Sequence, residues 1–303
     1  MTTDEALLEL LSELKARNYH FIAVTPATHA RVLARPSSSA PTLRDILGWN
    51  RTFAEDQIEP QLLALLRGAK CVEEVNGQCR SLIRVASLQG ELFLHSPFPT
   101  DAADAVFFGP DTYRFVRSVA AHLSSAPRPS WIVDMGSGSG AGAIVAAKQA
   151  SPDHLTMVDV NPVAARLGRL NASFAGVSAE ITVGDQIPRG CDLVIANPPY
   201  MIDSVHRTYR DGGRLFGGEI AFSWAAQALS ALAPGGTLIL YTGAAAINGE
   251  LPLIERLQSL CCDAEAALYV QEIDPDVFGE ELETAEYRPV ERIAALSIKI
   301  TAC

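Results

Sequence analysis

The sequence predicts an α/β protein: a seven-stranded, mostly parallel sheet with helices on both faces, preceded by a smaller helical domain with a β-hairpin. Three observations carry this prediction. From Phe107 onward, apolar runs alternate with helical segments, and the runs lack the in–out alternation of a half-wet strand, so both faces are covered. Glycines and acids gather just past the ends of these runs. The first hundred residues, by contrast, are leucine-rich at helical spacing and contain one Gln-Gly turn between strand-like runs.

The elements follow in order. Leu7, Leu8, Leu10, Leu11 and Leu14, with acids between them, predict an amphipathic helix over 4–17. The Pro/Ser-rich stretch from Arg35 to Pro41 reads as a loop ending in Thr42, an N-cap for a helix through Trp49. A further helix fits 59–67, then strands over 80–88 and 91–95 flank Gln89-Gly90. Pro97 and Pro99 close this region, giving domains over 1–100 and 107–303. A helix over 111–124 leads through a Ser/Pro-rich linker to Trp131. Strands are expected at 131–134, 155–159, 179–183, 192–196, 237–242, 265–272 and 292–300. Helices are expected at 141–150, 162–174, 219–232 and 248–260. The long helix-free stretch before the last strand permits an antiparallel pair at the sheet end.

Composition narrows the function. With 24 Lys+Arg against 35 Asp+Glu the formal charge is −11, which disfavours a nonspecific phosphate-binding surface. The acidity is uneven: residues 1–125 hold 12 basic and 14 acidic side chains, residues 126–303 hold 12 and 21. The six cysteines form no CxxC pair, no histidine spacing suggests a metal ligand set, and reduced thiols are the simplest reading. Acids at the N-terminus do not fit a signal peptide, and no apolar run approaches the ~18 residues that span a bilayer. A soluble cytoplasmic protein without membrane association is expected. The oligomeric state stays open.

Asp134-Met-Gly136-Ser-Gly138-Ser-Gly140 ends the first strand of the second region and opens a helix. Gly136-x-Gly138-x-x-Ala141 fits a dinucleotide loop in form. The preceding Asp134 favours S-adenosylmethionine instead, because a carboxylate repels a pyrophosphate but suits an amino group and a sulfonium. Asp159, with Val160 beside it, ends the next strand where ribose hydroxyls bind, and Asp185 follows the third, within reach of an adenine amino group.

Asn197-Pro198-Pro199-Tyr200 is the most specific feature. It follows an apolar strand, and its prolines fix the backbone at the sheet edge where ligands of open α/β sheets bind. A planar amino group has a delocalised lone pair and is a poor nucleophile. The Asn197 side-chain oxygen and the Pro198 carbonyl can each accept one N–H, aiming the nitrogen at a methyl donor. Tyr200 would stack on the flat acceptor. No strong general base is needed, because the proton becomes acidic once the nitrogen carries the methyl group.

On these motifs, residues 107–300 resemble a class I S-adenosylmethionine-dependent methyltransferase with a Rossmann-like sheet, of the group carrying Asn-Pro-Pro-(Tyr/Phe). The chain is similar to release-factor glutamine methyltransferases and to small-domain methyltransferases of ribosomal RNA guanine or transfer RNA adenine. The glutamine enzymes pair a helical N-terminal domain and hairpin with a Pro-(Glu/Asp)-Thr segment, and Gly109-Pro110-Asp111-Thr112-Tyr113 stands in that place here. The resemblance implies that Thr112 lies near the cofactor methionine. Gly109 replaces a basic residue of that pattern and Tyr113 an acid. The acceptor it implies is a protein glutamine amide, or alternatively an adenine or guanine amino group of RNA or DNA; a non-catalytic nucleotide-binding domain is the third reading. Arg207, Arg210 and Arg214 are either a grip for a phosphate or acidic peptide or a solvated loop.

Overall fold

A computed structural model describes residues 1–36, 40–203 and 207–303. His206 and part of the Arg35–Pro41 loop lie outside the described residues.

The N-terminal region runs α1 (Thr3–Ala16), α2 (Pro26–Leu33), α3 (Leu43–Leu47), α4 (Pro60–Gly68), β1 (Val72–Val75), β2 (Gln78–Ser81), β3 (Arg84–Leu88) and β4 (Glu91–His95). Thr2 caps α1 reciprocally with Glu5, and Thr42 caps α3 with Asp45 as its sequence position predicts. Helix α3 stops at Leu47 rather than Trp49. Any side chain at Gly48 would stand 2.3 Å from the Phe21 ring, so the chain turns there. The single strand expected over 80–88 is two, because the Ser81 hydroxyl donates to the Ile83 carbonyl and accepts its N–H, bending the chain. β2 pairs with β1, and β3 with β4 across the Gln89-Gly90 turn. The spacing analysis missed α2 and β1; both are short, and α2 buries only His29 among its described side chains.

The second region runs α5 (Pro110–Leu123), β5 (Trp131–Met135), α6 (Ala141–Ala150), β6 (His154–Asp159), α7 (Pro162–Phe174), β7 (Glu180–Val183), β8 (Cys191–Ala196), α8 (Glu219–Ala231), β9 (Leu232–Ala246), α9 (Pro252–Asp263), β10 (Ala267–Asp274) and β11 (Arg292–Thr301). α9 begins four residues later than expected, because Ile247 and Glu250 first close a turn over Asn248-Gly249. The seven strands lie in the order β10-β11-β9-β8-β5-β6-β7. β11 is antiparallel to both neighbours, and the β9-β8-β5-β6-β7 pairs are parallel. The fold is thus the α/β architecture that the sequence predicts.

The chain moves outward from β5 through β6 to β7, then returns to β8 on the other side of β5. The strand order reverses between β5 and β8, where open α/β sheets form a ligand crevice at their carboxyl ends. The glycine loop leaves β5 there and the Asn-Pro-Pro-Tyr segment leaves β8. Two motifs sixty residues apart meet by topology.

One apolar cluster runs from Leu7, Leu10 and Leu66 of the N-terminal helices into Ile132, Ile144 and Leu167 of the second region. Polar ties reinforce it. Asn171 on α7, fully buried, bonds the Leu94 N–H at 2.9 Å, the Leu94 carbonyl at 3.1 Å and the Ser139 carbonyl at 2.9 Å. Tyr113, the departure from the resembled pattern, accepts the Ala23 N–H at 3.0 Å. No helix among the described residues is long and apolar enough to cross a membrane.

Candidate active site

A cleft of about 980 Å³ opens over the β5/β8 switch point, within the size range of small-molecule sites. Of the residues singled out in the sequence, Thr112, Gly136, Gly138, Asp159, Val160, Asp185, Asn197, Pro198, Pro199 and Tyr200 all line it. Asp134 and Gly140 do not. Asp134 lies behind the glycine loop, 1% exposed, with one oxygen accepting the Ala143 N–H at 2.8 Å. From behind the cleft wall it tethers the first turn of α6. Burial pushes its carboxyl up to about 7, against the pull of that N–H. Gly140 adopts a left-handed conformation at the start of α6, where a Cβ would press on Met157 and on Gly168 of α7. It serves helix packing.

The glycine loop is roofed by α8. A Cβ on Gly136 would stand 2.4 Å from the Trp224 ring, so only glycine lets α8 sit this close. Asp159 orders the loop from the other side, accepting the Gly138 N–H at 2.8 Å with one oxygen and the Asn161 N–H at 2.9 Å with the other. Burial raises its pKa, and these two N–H groups oppose the rise. Thr112 accepts the Gly109 N–H, which leaves its own hydroxyl proton to donate into the cleft. Asp185 is exposed at the rim; Gln227 on α8 fixes its loop by accepting the Ile187 N–H and donating to the Asp185 carbonyl.

Asn197 is half-buried at the end of β8. Neither its side-chain amide nor the Pro198 carbonyl has a hydrogen-bond partner among the described residues, and both residues line the cleft. Tyr200 is 7% exposed and its hydroxyl donates to Asp111. Gly217, at φ +88°, lies so close beneath the Tyr200 carbonyl that a Cβ would come within 2.1 Å of it. Gly212 approaches the same residue, where a Cβ would stand 2.7 Å from the Tyr200 Cα, so these two glycines follow from the close passage of the chain beneath the motif.

Arg207 and Arg210 are neither solvated nor free. Arg207 bonds both oxygens of Asp203 and pairs with Asp101, while Arg210 pairs with Glu281 and Asp203. Arg207 holds the Asp203 carboxyl down to about 2. Arg214 is exposed.

Sequence reasoning missed the aromatic wall of Phe98, Phe107, Tyr209 and Phe278, together with Trp224 and Gln227. A signal existed for the α8 pair. Ile220, Ser223, Trp224 and Gln227 fall at i, i+3, i+4 and i+7, one helical face, but that spacing also describes any core-facing stripe.

The residues present fit S-adenosylmethionine. Thr112, Asp159 and Asp185 offer polar groups around a glycine cradle, and the Ser137 hydroxyl lines the cleft buried and without a partner among the described residues.

Residues 117–257 match the methyltransferase small domain family. A release factor glutamine methyltransferase of Deinococcus radiodurans is 27% identical over 293 residues, covering 91% of this chain and 96% of that protein. One from Koribacter versatilis is 32% identical over 44% of this chain and 53% of its own length. A ribosomal RNA small subunit methyltransferase C of Pseudomonas paraeruginosa is 30% identical over 46% of this chain and 39% of its own. Among solved structures, Trm5b from Pyrococcus abyssi shares the fold at a TM-score of 0.52 and 16% identity, over 81% of this chain and 68% of that one. The matched segment runs from α5 to α9 and holds both the glycine loop and the Asn-Pro-Pro-Tyr arm at the switch point, so the part of the chain that carries these two motifs is similar to the methyltransferase small domain.

Proposed function

We propose that the protein methylates a planar nitrogen, and that its acceptor is a glutamine side-chain amide of a protein, with residues 1–100 as the acceptor-facing domain. One observation carries the nitrogen assignment: two acceptors without a partner among the described residues, the Asn197 side-chain oxygen and the Pro198 carbonyl, stand side by side in the chain at the cleft. An NH2 group that donates to both has its lone pair turned away from them.

Bound in the cleft, S-adenosylmethionine supplies an electrophilic methyl group on a sulfonium. Gly136, Gly138 and Ser137 would hold its amino-acid end with Thr112, Asp159 and Val160 its ribose and base, and Asp185 the adenine amino group. Asn197 and Pro198 orient the acceptor nitrogen. Transfer would exchange the methyl group's bond to sulfur for one to the acceptor nitrogen, and the proton lost from that nitrogen would pass to solvent. The aromatic and proline side chains around the acceptor end keep bulk water from the methyl group.

Three features favour a protein over a nucleic acid. The cations that line the cleft, Arg207 and Arg210, are engaged by Asp203, Asp101 and Glu281, which leaves them poorly placed for phosphates. The net charge is −11. The alignment with the Deinococcus glutamine enzyme runs through the N-terminal region, whereas that with the ribosomal RNA enzyme covers under half the chain. The test is transfer of radiolabel from S-adenosylmethionine into cell lysate and into a purified release factor, followed by protease and nuclease digestion. Label released by protease and retained by nuclease supports the protein acceptor; the reverse selects the nucleobase reading.

A further inference from the structure

The far end of the Asn-Pro-Pro-Tyr arm is anchored by a carboxylate that the acceptor reading leaves unused. Asp111, in the first turn of α5, is 4% exposed. One of its oxygens accepts the Tyr200 hydroxyl at 2.6 Å, and the other accepts the Tyr241 hydroxyl of β9 at 2.6 Å. Arg114, one turn later, donates to Asp111 at 3.2 Å and to Asp274 at the end of β10 at 2.8 Å. Side chains from elements far apart in sequence converge on the one Asp111 carboxylate.

We propose that Asp111, through its paired tyrosine bonds, is the positioning residue that holds Asn197 and the Pro198 carbonyl in register with the acceptor nitrogen. The proposal rests on the acceptor reading of Asn197. The arm has two fixed ends. At one, Ala196 lies in β8 between Met135 of β5 and Leu240 of β9. At the other stands Tyr200. Between them two prolines remove most of the φ freedom, so the orientation of Tyr200 is transmitted back to Asn197. A hydrogen bond to a buried carboxylate is stronger than one between neutral groups, which makes Asp111 a firm anchor.

Packing confines the tyrosine ring to the position where it reaches Asp111. A Cβ on Gly243 would stand 2.3 Å from the ring, so the bare strand backbone forms its seat. Phe278, from the segment between β10 and β11, meets it edge-on at 6.0 Å. Burial first, and then the Asp111 charge, hold the Tyr200 and Tyr241 phenols above their ordinary range, so both remain donors at any working pH.

The experiment compares Asp111→Asn, Tyr200→Phe and the double variant in the full-length protein. Three quantities are read: amide hydrogen exchange by mass spectrometry, S-adenosylmethionine binding by calorimetry, and turnover on a purified release factor. Loss of one charged hydrogen bond is expected to raise exchange over residues 200–203 about tenfold while residues 131–139 stay unchanged. Turnover should fall on the order of 10²-fold, as for an ångström-scale displacement of a positioning group, with cofactor affinity within about threefold. The double variant should be no worse than the worse single, because both break the same bond. Unchanged exchange over 200–203, additive losses, or cofactor affinity falling in step with turnover would each overturn the proposal. Tyr200→Phe removes a single oxygen atom and keeps the comparison open if Asp111→Asn fails to fold. Exchange is measured without acceptor, so it tests Asp111 even if Asn197→Ala retains full turnover, the result that would instead sink the acceptor reading.

Discussion

At the end of β8 the Asn197 amide lines the cleft with no partner among the described residues, so its removal should separate binding from catalysis. Asn197→Ala is expected to lower turnover by about 10²- to 10³-fold, the cost of losing one preorganised polar contact, while calorimetric S-adenosylmethionine affinity holds. Equal loss of both would make Asn197 structural. Asp134 gives a pH test. Its carboxyl, pushed up to about 7 by burial, lies just behind a loop that receives a cationic ligand. A cation favours the ionised form, so binding should release protons and tighten as pH rises through about 7. The binding enthalpy near pH 7 should therefore vary with the buffer's ionisation enthalpy, and Asp134→Asn should remove that variation. A buffer-independent enthalpy in the wild type would refute the coupling. The contact between Gly243 and Tyr200 predicts that Gly243→Ala costs about 1–3 kcal/mol by overpacking, read as a lower thermal midpoint with reduced turnover.

Among the elements, β3, β4 and α2 enclose a cationic cluster with its own pH signature. Arg84 is 3% exposed; its guanidinium reaches the His29 ring at 3.1 Å and the Ser96 carbonyl at 3.2 Å, and burial lowers its pKa to about 10. Burial, with Arg84 beside it, lowers His29 to about 4, and His95 is held well below the usual histidine range by the same causes. Both imidazoles are neutral when folded, whereas the unfolded chain takes up their protons below about pH 6.5. Stability should therefore be full above that pH and fall as pH drops from about 6.5 towards 4. Urea midpoints across that interval test this, with His29→Gln flattening part of the slope; a midpoint flat from pH 7 to 4.5 would contradict it. The elements themselves were largely legible. Each strand of the seven-stranded sheet overlaps its expected range; the buried central strands are legible because strands covered on both faces leave an uninterrupted signature, whereas the edge strands β7 and β10 expose much of their length. The split of 80–88 was not legible, since it depends on one serine hydroxyl bonding its own neighbourhood.

For the molecule as a whole, Asn171 couples the regions: it joins β4 to the glycine loop through Leu94 and Ser139. Asn171→Ala strands the buried Leu94 N–H and should cost about 1–3 kcal/mol in urea unfolding. Because the same side chain bonds the Ser139 carbonyl, cofactor affinity should weaken with it; unaltered affinity would mean the hairpin does not support the loop. Local sequence determined the sheet, its alternating helices, the glycine turn and the Asn-Pro-Pro-Tyr arm, because each is written in contiguous residues whose spacing or fixed φ acts at short range. Tertiary structure alone decided that Asp134 stands behind the cleft, that Arg207 and Arg210 are neutralised from Asp101, Asp203 and Glu281, and that Asp111 grips Tyr200. Those outcomes depend on partners up to 106 residues away along the chain in the ion pairs and 89 in the tyrosine bond. The Asp203 pairs are local, but no short window of sequence holds both halves of the Asp101, Glu281 or Asp111 contacts, which exist only because the folded chain brings distant segments together at the switch point.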